Sequence, residues 1–143
     1  MPLTEFSYFL RASRDRVWHA VGDAGQFGTW FGAELDGPFT AGARRTGRIV
    51  PTKVHPGIGR AQKPYLGTVF ELDVERVEPR RLLSFRWHAL GEPETLVSFE
   101  IADAVGGAAL TVAESDSSPC LWPPREIALL IEKFLAGAVD LRR

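Results

Sequence analysis

Apolar and polar positions alternate with a period of two at the start of the chain, where Phe6, Tyr8 and Leu10 fall on one side. A period of two is typical of a strand with one buried face, so we predict a half-buried strand over residues 5–11. The same period returns repeatedly between residues 45 and 112. Most of the chain is therefore predicted to be sheet.

Two short helices are predicted directly after the first strand. Ser13 offers a hydroxyl that can accept a hydrogen bond from a free helical N–H, and apolar positions follow it at helical spacing. Gly22 predicts the end of this helix, and Asp23 can cap a second one that reaches about Phe31. Glycine and proline then recur over residues 32–47, which predicts turns.

The central part of the chain predicts an antiparallel series of strands. A short strand is expected around residues 45–51 and a long one over 65–77, with a bulge where the apolar positions change parity between Val74 and Val77. Three further strands are predicted from alternating apolar positions: Leu83, Phe85 and Trp87; Val97, Phe99 and Ile101; Leu110 and Val112. The segment 54–64 has the weakest pattern, and we predict a mobile loop or hairpin tip there.

A C-terminal amphipathic helix is predicted from about Arg125 to Leu141, where apolar residues recur at i, i+3, i+4 and i+7. This order of elements describes an α+β fold, in which a curved antiparallel sheet wraps around a long C-terminal helix with a cavity between them. The 143 residues fit one domain, 1–143.

Composition narrows the range of functions. The formal net charge is -1, with 17 basic and 18 acidic residues, which argues against a nucleic-acid partner. The one cysteine, Cys120, cannot form an internal disulfide, as is common in a reducing compartment. No apolar run approaches the roughly 20 residues that span a bilayer, and the first residues lack the pattern of a secretory signal. We therefore expect a cytoplasmic protein without a membrane partner.

Four segments, in order and spacing, resemble the START-like (SRPBCC) superfamily. These are residues 16–21 (RVWHAV) followed by Trp30, the strand–turn–strand over 67–87, the hairpin over 97–115 and the C-terminal amphipathic helix. The branch they resemble most is that of proteins related to the C-terminal domain of the activator of Hsp90 ATPase. The resemblance implies a helix-grip fold of the START/Bet v 1-like type. Segments 54–64 and 116–124 depart from the pattern of that branch.

A set of aromatic residues forms the main candidate binding site. Two interpretations stay open: the side chains line a cavity for an apolar or aromatic ligand, or they only fill the core. The aromatic candidates are Trp30, Phe31, Phe39, Tyr65, Phe70, Trp87, Phe99, Trp122 and Phe134.

Glu114 is the polar candidate, because it shares parity with Leu110 and Val112 and so can face inward. An inward carboxylate could anchor a polar group of a ligand or act as an acid or base, whereas at the strand end it would lie in solvent. The three histidines show no metal-ligand spacing and no nucleophile motif is present, so we predict no metal, no cofactor and no catalytic residue.

The leading hypothesis is a binding module that holds a small hydrophobic or aromatic molecule between the sheet and the C-terminal helix. One alternative is an enzyme resembling polyketide cyclases or hydrolases of the same superfamily. The other is a protein-interaction module similar to the activator of Hsp90 ATPase, with a protein partner or a second copy of this chain. A binding role is favoured over an enzymatic one, because the sequence offers only scattered polar groups.

Overall fold

The computed structural model describes residues 3–89, 94–115 and 124–140. The strands are β1 (Leu3–Leu10), β2 (Ala33–Leu35), β3 (Arg44–Ile49), β4 (Val69–Glu78), β5 (Leu82–Ala89), β6 (Thr95–Ala104) and β7 (Gly107–Ser115). The helices are α1 (Arg14–Gly22), α2 (Ala24–Phe31), α3 (Pro56–Gln62) and α4 (Pro124–Asp140), and a 3-10 turn at Lys63–Tyr65 follows α3.

The seven strands form one antiparallel sheet in the order β1-β7-β6-β5-β4-β3-β2. The first strand therefore pairs with the last, from Leu3 opposite Ser115 to Leu10 opposite Ala108. The register of β4 against β5 shifts between Val74 and Arg76, which confirms the predicted bulge. A bulge bends the strand that carries it, and so adds to the curvature of the sheet.

Side-chain capping sets the boundaries of α1 and α2. The Ser13 hydroxyl accepts a hydrogen bond from the Arg16 N–H at 3.2 Å. The Asp23 carboxylate accepts hydrogen bonds from the N–H groups of Gly25 and Gln26 at 2.8 and 3.3 Å. These contacts satisfy donors that the first turn of a helix otherwise leaves free. Both predicted helices are confirmed, as are their predicted ends.

The core lies between one face of the sheet, here called the inner face, and the helices α1, α2 and α4. The helix α4 contacts β1, β7, α1 and α2, while α1 also contacts β6 and β7. The buried face of α4 carries Ile127, Leu130 and Ile131, each no more than 3% exposed. The period of the C-terminal stripe thus places its apolar residues against the sheet.

Three sequence predictions differ from the structure. The segment 54–64 is not a loop, because it contains the helix α3, which buries Ile58 and Gln62. The long strand predicted to begin at residue 65 begins at Val69, after the 3-10 turn. The strand β2 lies inside the stretch 32–47, where only turns were predicted and where three residues pair with β3.

The observed architecture is α+β, with a curved antiparallel sheet packed against helices, and is consistent with a helix-grip fold. A long C-terminal helix was expected, but α4 is short, with 17 residues. At 1.5 Å of rise per residue it is about 25 Å long. No helix in the described ranges combines the length and apolar character needed to cross a membrane.

Candidate functional site

Three side chains on the inner face lie together where β5, β6 and β7 meet. Trp87 stands opposite Thr95, and Glu114 stands opposite Val97, two residues further along β6. Because side chains alternate between the faces of a strand, Trp87, Thr95 and Glu114 share the face of the buried Val97. They form a diagonal row across three neighbouring strands, which we call the Glu114 row.

Glu114 is buried, with 7% of its surface exposed. The Thr95 hydroxyl, itself in a residue only 3% exposed, donates a hydrogen bond to the Glu114 carboxylate at 3.2 Å. Glu114 therefore faces inward, as its parity predicts, whereas its role towards a ligand stays a prediction. A buried carboxylate is costly unless polar groups surround it, and this one places a strong hydrogen-bond acceptor inside a largely apolar face.

The aromatic side chains pack around Phe27 of α2, which is 1% exposed. Its ring contacts five other rings, with centroid distances of 4.7 Å to Trp30, 5.2 Å to Phe31, 5.3 Å to Phe39, and 6.1 Å to both Phe85 and Phe99. Most of these contacts are edge-to-face, the arrangement that aromatic quadrupoles favour. We call this group the aromatic cluster.

The aromatic cluster joins the Glu114 row through Trp87. The Trp87 ring lies 5.5 Å from Phe31 and 5.3 Å from Phe70, measured between ring centroids. The indole N–H of the neighbouring Trp30 donates to the Ala20 carbonyl at 2.7 Å, so the polar atom of that ring is satisfied. At the end of the inner face that carries Trp87, aromatic rings therefore lie on one side of Trp87 and the Glu114 carboxylate lies on the other.

The predicted site residues fall into four groups. Seven of the ten are buried in the core. These are Trp30, Phe31, Phe39, Phe70, Trp87, Phe99 and Glu114. Phe134 of α4 is half-buried and packs on this core, whereas Tyr65 is 44% exposed in the 3-10 turn, apart from the others. Trp122 lies outside the described residues.

Sequence reasoning missed Phe27 and Phe85 as members of the aromatic cluster, although both are no more than 2% exposed. A signal for Phe27 existed, since positions 24, 27, 30 and 31 follow helical spacing. Phe85 had been placed on its strand with the correct parity, but was not considered as part of the site. Whether the cluster contacts a ligand in addition to filling the core stays a prediction.

The outer face of the sheet carries paired charges instead. The Arg44 guanidinium donates to the Asp73 carboxylate at 2.7 Å, and this hydrogen bond holds the pKa of Asp73 below its ordinary value. Arg86 bonds Glu75 in the same way at 2.6 Å. Within the described ranges, no group of three or more His, Cys, Asp or Glu side chains is placed to hold a metal ion.

Two clefts open away from the Glu114 row. One, of about 620 Å³, lies between α2, β2 and the segment after β3. The other, of about 490 Å³, lies between the end of β1, Arg16 of α1 and the outer side of α4. Neither cleft is lined by any of the ten predicted site residues.

No family model and no curated protein matches this chain. Several solved structures, in contrast, are similar to it. DynU16, a protein of the dynemicin biosynthetic locus, is 27% identical with a TM-score of 0.67, over 95% of this chain and 48% of DynU16. This chain thus spans about half the length of DynU16. CalU16 from Micromonospora echinospora is 20% identical with a TM-score of 0.54, over 96% of this chain and 70% of CalU16.

Protein CV1439 from Chromobacterium violaceum gives a TM-score of 0.69 at 16% identity, over 97% of this chain and 95% of CV1439. These similarities are consistent with a helix-grip fold. These similarities extend over nearly all of this chain, but none of them singles out the branch of the activator of Hsp90 ATPase.

Proposed function

We propose that this chain binds a small, largely apolar molecule at the end of the inner face where the Glu114 row lies, between the sheet and the C-terminal helix. The observation that carries this proposal is the buried Glu114 carboxylate beside Thr95. Burial of a carboxylate is costly unless polar groups bond it, and it gives this end of a mostly apolar core a hydrogen-bond acceptor that a ligand can use.

The chemistry of the row indicates the kind of ligand. Small-molecule sites are mostly apolar, with a few polar groups that fix orientation. Trp87 and the neighbouring rings supply apolar surface, and Glu114 supplies an acceptor. A ligand with a hydroxyl or amino group on an aromatic or aliphatic body would satisfy both.

The similarity to DynU16 supports a proposal about the origin of the ligand. DynU16 belongs to a biosynthetic locus. For this chain we therefore propose a biosynthetic intermediate or product as the physiological ligand. A reaction of the cyclase or hydrolase kind would need a second titratable group near Glu114. Binding needs only the acceptor and the apolar rings that the Glu114 row and its neighbours supply, so binding is the function we propose.

The test uses N-phenyl-1-naphthylamine, an apolar probe that carries one N–H donor and fluoresces in apolar surroundings. We expect saturable fluorescence with the unmodified protein. Glu114→Gln keeps the size of the side chain but removes its charge, and is expected to weaken binding several-fold, because hydrogen bonds to charged groups are about twice as strong as neutral ones. Native mass spectrometry of protein purified from its own host would then identify a co-purifying ligand.

Glu100→Gln is the matched control, because Glu100 is exposed on the outer face and opposes Thr111 of β7. It should leave the affinity for the probe unchanged. Failure of the probe to bind, or equal binding by the Glu114→Gln and Glu100→Gln variants, would contradict the proposal. The circular dichroism spectrum of each variant establishes that it is folded.

A further inference from the structure

The cleft of about 620 Å³ beside α2 shares no residue with the Glu114 row. Its volume falls in the range of small-molecule sites, about 300–1,000 Å³. Its walls come from the first turns of α2, from β2, from the turn after β2, and from the residues that follow β3. We call it the α2 cleft.

Two glycines shape the wall that α2 contributes to the α2 cleft. At Gly28, an added Cβ would lie 2.3 Å from the Ala33 carbonyl oxygen, so only glycine allows α2 to approach β2 this closely. At Gly25, an added Cβ would meet only the Asp23 carboxylate, at 3.3 Å. A side chain at position 25 would therefore extend into the cleft. Further apolar lining comes from Ala24, Ala33, Leu35, Pro38, Val50 and Pro51.

Two opposite charges also line the α2 cleft, namely Glu34 of β2 and Lys53 after β3. Neither forms an ion pair or a side-chain hydrogen bond with the other or with any other described residue. Arg48 stands opposite Glu34 on β3, and both line the neighbouring groove, but the two side chains make no ion pair. The third charged residue of the cleft, Asp23, is already bonded to the N–H groups that it caps.

The geometry points to a site for a free amino acid with an apolar side chain. An ammonium group would meet Glu34, a carboxylate would meet Lys53, and the side chain would lie on the floor of small apolar residues. Complementary charges fix orientation and specificity, while burial of the side chain supplies apolar contact area. This site goes beyond the proposed function, because its ligand, its residues and its position all differ from those of the Glu114 row.

The test is a titration monitored by ¹H–¹⁵N correlation spectra with L-leucine, L-methionine and L-phenylalanine. We expect saturable shifts at the amides of Gly25, Gly28 and Thr29. N-acetyl-L-leucine lacks the ammonium and L-leucinamide lacks the carboxylate, and each should bind about tenfold more weakly than L-leucine, the effect of losing one charge-assisted hydrogen bond.

Variants test which charged residue of the cleft binds which charged group of the ligand. Lys53→Met should weaken L-leucine about tenfold and leave L-leucinamide unchanged, while Glu34→Gln should weaken L-leucine and leave N-acetyl-L-leucine unchanged. Gly25→Leu should fill the cleft and abolish binding, and its thermal midpoint shows whether it is folded. Glu100→Gln is again the control, and its affinity for L-leucine should match that of the unmodified protein.

Three results would overturn the proposal. One is the absence of saturable shifts with all three amino acids at millimolar concentration. Another is equal affinity for L-leucine and its two derivatives. The third is affinity that Lys53→Met and Glu34→Gln leave unchanged. None of these results bears on the Glu114 row, because N-phenyl-1-naphthylamine carries no carboxylate and its binding does not depend on Lys53.

Discussion

Gln62 provides the sharpest test of how the segment after β3 is held in place. It is fully buried, and both ends of its amide are used. The Thr52 N–H donates to its Oε1 at 2.6 Å, and its Nε2 donates to the Phe31 carbonyl at 2.7 Å. One side chain therefore ties α3 to the end of α2 and to the residues that follow β3. Gln62→Met preserves the length of the side chain and removes both hydrogen bonds.

The expected loss of stability follows from the two backbone groups that the substitution leaves without a partner. A buried donor or acceptor that loses its hydrogen bond costs about 1–3 kcal/mol. The Thr52 N–H and the Phe31 carbonyl together give about 2–6 kcal/mol. Domains of this size are stable by about 5–15 kcal/mol, so the variant should fold but unfold at clearly lower urea concentration.

Urea unfolding measures this loss, and amide hydrogen exchange locates it. The Thr52 amide should exchange much faster in the variant, because its acceptor is gone. Lys63→Met is the control, since Lys63 is the exposed neighbour of Gln62 and surface changes are within about 0.5 kcal/mol. A free energy of unfolding equal to that of the control, with the Thr52 amide still protected, would refute the role of Gln62 in holding α3 against α2 and the residues after β3.

Three further predictions follow from described contacts. Phe27→Ala should lower the free energy of unfolding by about 3–5 kcal/mol, because it leaves a cavity among five rings, whereas Phe9→Ala at a half-exposed ring should cost far less in the same urea assay. Asp23→Ala should lower the free energy of unfolding by about 1 kcal/mol, because it removes the N-terminal cap of α2. An unchanged urea unfolding curve would show that this cap is dispensable. The hydrogen bond from Arg44 lowers the pKa of Asp73, so its stabilising effect is present above the ordinary pKa of a carboxyl group and is lost as the pH falls through the lowered one. Between about pH 5 and pH 2, the thermal midpoint of the Asp73→Asn variant should therefore fall slightly less than that of the unmodified protein. The difference should be small because the pair is exposed to solvent. An equal fall in both proteins would argue against a stabilising ion pair.

Elements specified by local chemistry could be predicted from the sequence. Ser13 and Asp23 start the first two helices because their side chains bond the N–H groups two or three residues ahead, an interaction that needs no other part of the chain. The bulge after Val74 could be predicted because parity is a local property of a strand. The inward position of Glu114 followed from the same rule.

Elements specified by distant contacts were missed. The helix α3 contains Gly57 and Gly59, which lower helix propensity and therefore pointed to a loop. In the structure, an added Cβ at Gly59 would lie 2.4 Å from the Thr52 carbonyl oxygen, so this glycine permits close packing. Burial of Gln62 against α2 then stabilises the helix, which no local pattern reveals. Tyr65 was predicted in a strand and at the site because the sequence pattern around it does not reveal the 3-10 turn that follows α3.

The pairing of the first strand with the last has a consequence for how the protein forms during synthesis. The partner of Leu3 is Ser115, so β1 has no strand to pair with until more than a hundred further residues have been translated. At about 5–20 residues per second, that interval lasts several seconds or more. During it, Leu10 of β1 and the rings of α2 lack the surface that later buries them. Apolar surface exposed in this way favours aggregation, and rare codons upstream of β7 would lengthen the exposure.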